Sequence, residues 1–417
     1  MQRSVSGLVV ACAAACFGGW TATAHGETIR WSQYGLQGLE ARAITDEVVC
    51  PVAKIDGVAM PMQARAMPGK DFAVMVCSVA LPATAHSVTI GDAPVGLPVA
   101  APQRIAVLGD TGCRLKGSYL QDCNDPLKWP FAQVAAAVAA QKPDLIIHVG
   151  DYHYRETPCP AGNTGCAGSP FGDTWQAWRA DFFDPASALL AQVPWVMVRG
   201  NHEECRRAGQ GWSRALDPGT FDAVRGCNEA DAPFAVPLGN VTLAVVDVAL
   251  VPEPGIDSVQ AAQFRAQYAS LATMAKGPTW LLQHRPIWSV GGSVAGLWFG
   301  DNPTLAAAAR DTLPGQVQLI LSGHHHIFQV LGYAQDLPVQ IVSGHGGDYL
   351  NPGSTADPSG WVINGVTVKT GVHKTSQFGF SMLESQSGGW VVTNYDAAGR
   401  ALDHCGIVGR VVACASD

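Results

Sequence analysis

No stretch of the 417-residue chain stays apolar for the roughly 20 residues that a membrane-spanning helix needs, so stable membrane insertion is not expected. No cluster of basic residues offsets the formal net charge of −8, which argues against a nucleic-acid-binding surface. There is no internal repeat and no long low-complexity tract, so nothing suggests a solenoid or a repeat array.

Cysteine, by contrast, is plentiful, with 12 in the chain. Cys12 and Cys16 fall in residues 1–24, which are expected to be a signal peptide. Arg3 supplies a positive charge, Gly7 to Phe17 a short apolar core, and Ala22-Thr23-Ala24 an Ala-x-Ala cleavage site before His25. Val9-Val10-Ala11-Cys12 also reads as a lipobox, after a briefer apolar segment than a lipoprotein anchor uses. The other ten cysteines are an even number, as expected for disulfides in the periplasm or outside the cell. Neighbours in sequence suggest Cys50 with Cys77, Cys113 with Cys123, Cys159 with Cys166, Cys205 with Cys227 and Cys405 with Cys414, although spacing alone leaves connectivity open.

Polar residues gather in five short blocks: Gly109-Asp110-Thr111-Gly112, Gly150-Asp151-Tyr152-His153-Tyr154, Gly200-Asn201-His202-Glu203, Leu281-Leu282-Gln283-His284 and Gly323-His324-His325-His326. Four of the five directly follow apolar runs that begin at Ile105, Leu145, Trp195 and Gln318. These runs are rich in Val, Ile and Leu and short enough to be buried strands. In open α/β sheets, ligands bind outside the carboxyl ends of the strands, where loops and helix N-termini converge. Carboxylates, a phenol, an amide and imidazoles together suit two borderline or hard transition-metal ions better than calcium or a thiolate zinc centre.

Each residue has a plainer reading. Asp110, Asp151 and Asn201, taken singly, are ordinary turn or helix-cap residues, and a tyrosine beside a sheet usually packs. Five blocks in order are hard to explain by capping alone, and spacing favours Tyr154 over Tyr152. His325 is expected to face away from its two neighbours, and His148 to be a satisfied core histidine. The structural reading takes the larger share for His153, and His345 is a candidate for approach from a sixth strand end.

The five blocks resemble those of the calcineurin-like metallophosphoesterases and, within them, the purple acid phosphatases. Commoner members carry Asp-x-His in the first block, where this chain has Asp110-Thr111-Gly112. The Gly-Asp-x-x-Tyr block ending at Tyr154 matches the purple acid phosphatases, whose tyrosinate binds ferric iron. The resemblance puts Asp110, Tyr154 and His326 on iron(III), and Asn201, His284 and His324 on a second ion, zinc, manganese or iron(II), with Asp151 shared. It implies hydrolysis of a small phosphate monoester by a hydroxide generated at the metal pair, with metals roughly 3.5–4 Å apart. The alternatives are a phosphodiesterase or nucleotide pyrophosphatase on the same metals, and a surface module that has lost catalysis. His202 is expected to contact the phosphate and protonate the leaving alkoxide, with Glu203 orienting it.

Plant-type relatives add histidines shortly after the fourth block, yet from Arg285 to Gly323 this chain has none. Arg285 ranks first as a substitute for phosphate binding, followed by Arg206, Arg207, Arg214 and Arg225.

The resemblance implies an α/β fold, a four-layer α/β/β/α sandwich, over residues 103–417. Alternating runs broken by Pro and Gly suggest a small β-rich domain and linker over 25–102. Helices are expected over Ala132 to Gln141, Trp175 to Gln192 and Ser258 to Ala275, and a second sheet from the β-rich runs after the last block.

Overall fold

The computed structural model describes residues 28–294, 297–353 and 355–415, so the expected signal peptide lies outside the described residues. Two mixed sheets dominate. The larger has eleven strands, and its centre is a parallel set, Arg104–Leu108, Leu145–His148 and Trp195–Met197. The smaller has eight, and its centre is the parallel set Thr242–Val245, Thr279–Leu282, Val317–Ser322 and Val339–Ser343.

Strand periodicity explains the layering. Ile105, Val107, Ile147 and Val196 turn to one side and share a core with Leu243, Trp280, Leu282, Leu319 and Leu321 of the other sheet. The alternate residues Ala106, Leu108, Ile146 and Met197 face outward against the helix Phe131–Ala140 and the segment around Trp178 and Phe182. On the far side, Ala244, Leu281 and Ile320 pack under the helices Ser258–Met274 and Pro303–Ala309. Successive side chains of a strand point to opposite faces, so strands apolar on both faces must be covered on both. The result is the expected helix–sheet–sheet–helix order.

Several expectations need adjusting. The stretch Trp175 to Gln192 is not one helix but an α turn (Trp175–Trp178), a π turn (Arg179–Phe183) and another α turn (Ser187–Leu190). Pro185 lies in the interruption, where it can donate no helical hydrogen bond. The β-rich runs after the last block do not form one second sheet. Phe328–Tyr333 and Val339–Ser343 join the smaller sheet, whereas Gly379–Gln386 and Gly389–Asp396 join the larger, where the former runs antiparallel to Arg104–Leu108.

The β-rich N-terminal region divides as well. Ile29–Gly35, Gly38–Thr45, Gln63–Ala66 and Met75–Ala80 continue the larger sheet, with Ile29–Gly35 parallel to Trp195–Met197. A separate four-stranded sheet takes Val52–Ile55, Val58–Pro61, Val88–Ile90 and Ala93–Pro94. Residues 95–103 run without helix or strand into the first central strand. All five suggested disulfides form.

Candidate metal centre

The parallel strands of both sheets end at one edge of the sandwich, and the five blocks begin there. Ladder bonds carry past the strand ends: Asp110 N–H donates to the Gly150 carbonyl, and Gly323 N–H to that of His284. The turn that follows is sharp. Asp110, Asp151 and His324 adopt left-handed φ of 55°, 59° and 67°, which non-glycine residues seldom hold outside functional sites and tight turns. Glycine at 200 has a packing reason, since a Cβ there would lie 2.1 Å from Asp151 Oδ1.

Two clusters of donor atoms result. In the first, the Tyr154 hydroxyl lies 2.9 Å from Asp110 Oδ1, 2.8 Å from Asp151 Oδ2 and 3.0 Å from His326 Nε2. In the second, His284 Nε2 lies 3.1 Å from Asn201 Oδ1 and 3.2 Å from Asp151 Oδ2, and Asp151, His284 and His324 each offer an atom within 4.8 Å of the others. Asp151 Oδ2 belongs to both. Each carboxylate spends its other oxygen on backbone: Asp110 Oδ2 accepts from His324 N–H and Asp151 Oδ1 from His202 N–H.

The donor set fits cations. His284 Nδ1 lies 2.8 Å from the Val149 carbonyl and His326 Nδ1 2.6 Å from that of Tyr349. Each Nδ1 therefore carries the proton, and each Nε2 lone pair points into its cluster. One phenol proton cannot satisfy two carboxylate oxygens and an imidazole lone pair at once, whereas a cation can. Burial and the Asp110 and Asp151 carboxylates push the phenol of Tyr154 well above its usual range. Burial also pushes Asp151 up, but the His284 and His202 imidazoles outweigh it and hold the carboxyl well below the usual range.

Tyr152 is a packing residue: its hydroxyl donates toward the Val198 carbonyl at 3.1 Å, and its ring stacks on His148. His148 lies 3.0 Å from Thr111 Oγ1, a satisfied core position. His325 turns away to Ser289 and the Gly300 carbonyl, His153 reaches the Gly172 carbonyl, and His345 contacts Asn394 and does not join the clusters.

His202 lies over the first cluster, its ring 3.8 Å from that of Tyr154. Glu203 does not orient it. Its Oε1 accepts from the N–H groups of Tyr152 and His153, and its Oε2 from those of Asp151 and Gly200. The partners of the His202 ring are Glu156, 2.8 Å from Nδ1, and Arg207, 2.7 Å from either ring nitrogen. Burial holds the imidazole down to about 3 against the opposing pull of Asp151 and Glu156.

Arg285 reaches the second cluster, 2.9 Å from His324 Nε2 and 2.7 Å from Glu253 Oε1. Arg206, Arg214 and Arg225 are engaged elsewhere, with Glu204, Met67 and Asn228 respectively. Sequence reasoning missed Arg114, Glu156, Glu253 and Asp348. Arg114 lies 4.7 Å over the Tyr154 ring and is ion-paired to Asp348. None of the four sits in a block, so spacing carried no signal for them.

A family model described as calcineurin-like phosphoesterase matches residues 103–328, and the chain belongs to that family. It is thereby a phosphoesterase, of a family that works with a dinuclear metal centre. Among solved structures, the chain is similar to purple acid phosphatase PPD1 from yellow lupin (Lupinus luteus) seeds, with a TM-score of 0.59 and 13% identity over 91% of this chain and 74% of that one. It is also similar to PhoD, with a TM-score of 0.54 and 12% identity over 94% of this chain and 92% of that one. At these identities the likeness is one of fold. No curated protein matches the sequence.

Proposed function

We propose that the protein is a dinuclear-metal phosphatase of the purple acid phosphatase type, which hydrolyses small phosphate monoesters in an oxidising, extracytoplasmic compartment. The observation that carries this reading is the Tyr154 hydroxyl inside a cluster that shares Asp151 Oδ2 with a second cluster. Asp110, Tyr154 and His326 would hold iron(III). Asn201, His284 and His324 would hold zinc, manganese or iron(II), with Asp151 common to both. When bound, the two cations supply charge that polarises the ester and acidifies water.

The chain's own residues do the rest. Arg285 and Arg207 flank the two clusters with guanidinium groups suited to phosphate oxygens. His202 lies over the first cluster, its ring held between Glu156 and Arg207, where it would pass a proton to the leaving oxygen. Five disulfides fit an oxidising compartment, and no helix among the described residues is long and apolar enough to cross a membrane.

Paired assays of monoester and diester substrates on metal-loaded protein test the reading. Monoester hydrolysis abolished by chelation is expected. A diester preference would transfer the site to the phosphodiesterase reading, and no hydrolysis of either would favour a surface module.

A further inference from the structure

A cavity of about 440 Å³ adjoins the first cluster, bounded by Arg114 and His326 and walled by Tyr119, Leu120, Tyr349, Leu350 and Pro352. That volume suits one small molecule. Arg114 and His326 both also touch Tyr154, so the cavity lies next to the first cluster. The loop that forms one wall is fixed to the site, because the Tyr349 carbonyl accepts from His326 Nδ1 and Asn351 Oδ1 accepts from His326 N–H.

The walls are mainly apolar and aromatic, with Ser118 and Asn351 as polar members. Tyr119 is 69% exposed and Tyr349 61% exposed, although large aromatic side chains gain most by burial. Flat rings left in water at the rim of a cavity gain contact when a planar guest enters. Arg114 is tied to Asp348 through Nε, at 3.0 Å to Oδ2, and through Nη2, while its Nη1 has no partner among the described residues. It leaves one charged donor at the boundary between cluster and cavity.

We propose that this cavity is the leaving-group subsite, and that it selects phosphate monoesters whose leaving alcohol carries a flat aromatic ring, an aryl alcohol or a nucleoside, over those of small polyols. The inference rests on the phosphoesterase reading above. In the reaction the phosphorus–oxygen bond to the leaving alcohol breaks, water supplies the new oxygen on phosphorus, and the proton that water gives up balances the one taken by the leaving oxygen.

The test compares kcat/KM of the metal-loaded protein for phenyl phosphate, adenosine 5′-monophosphate and glycerol phosphate. The wild type is expected to favour at least one ring-bearing ester over glycerol phosphate by about tenfold or more, and the comparison of adenosine 5′-monophosphate with glycerol phosphate, whose leaving alkoxides are alike, separates ring recognition from the better leaving ability of phenol. In the Tyr119→Ala/Tyr349→Ala variant that preference is expected to shrink to about threefold or less, through a rise in KM. Equal wild-type constants for all three esters, or a variant that loses all three in proportion, would overturn the proposal.

Titration with phenylphosphonate and methylphosphonate reads the subsite without turnover. Tighter binding of the aromatic phosphonate, lost in the variant, supports the subsite even if no ester is hydrolysed. Equal affinity overturns it, whatever the assays show. Failure of the subsite and failure of the phosphoesterase reading are thus separate results.

Discussion

Asp110, Asp151 and His324 hold left-handed backbone at a cost of about 1–3 kcal/mol each, which only a surrounding network can sustain. At Asp151 that network is centred on Glu203. Its two oxygens accept four backbone N–H groups at 2.8–3.1 Å, including that of Asp151 itself. Glu203→Ala leaves these buried donors without an acceptor and is expected to cost about 3 kcal/mol or more, seen as a lower melting temperature and weaker metal retention. Glu203→Gln keeps an acceptor on one side and should lose less. If instead Glu203 served to orient His202, the Gln variant would keep full stability and lose activity. The tyrosine choice was legible from spacing, and Tyr154 does lie in the cluster while Tyr152 packs in the core. Glu156, the partner of His202, was not legible, because it lies 46 positions away and its contact depends on how two loops fold together.

The central strands were readable because burial on both faces leaves short continuous runs rich in Val, Ile and Leu. The segment Ser213 to Gly219 was not, since it is held from outside. Arg65, in Gln63–Ala66, donates to the carbonyls of Ser213, Arg214, Asp217 and Gly219, and Arg42, in Gly38–Thr45, donates to those of Ala215 and Asp217. The N-terminal strands thereby anchor the chain that leads on from Asn201, His202 and Arg207. Burial pushes the Arg65 guanidinium down to about 9, yet it stays charged at neutral pH. Arg65→Ala should destabilise by about 2–4 kcal/mol, open residues 213–219 to proteolysis and reduce kcat/KM. Unchanged melting and unchanged proteolysis would show that the strands do not anchor this segment. That coupling lay beyond sequence reading, which treated residues 25–102 as a small β-rich domain and linker.

Across the whole molecule, the sandwich buries several histidines that the site does not use. Burial holds His373 and His345 down to about 4 each, although Asn394 partly opposes it at His345. Unfolded histidine titrates near 6.5, so between about pH 6.5 and 4 the unfolded chain binds more protons than the folded one. Stability from these groups is present in full above about pH 6.5 and falls as the pH drops through that window. Melting temperature should decline across it, with a shallower slope in His373→Gln, and parallel slopes would remove His373 as a contributor. The central claim is that two cations occupy the joined clusters and that Tyr154 binds one of them. The direct measurement is the metal content and visible spectrum of the purified protein beside Tyr154→Phe. The account predicts two metal ions per chain, iron among them, and a visible band lost in the variant. A colourless wild type with two zinc or manganese ions would contradict the tyrosinate–iron assignment, and a wild type with no bound metal would contradict the account as a whole.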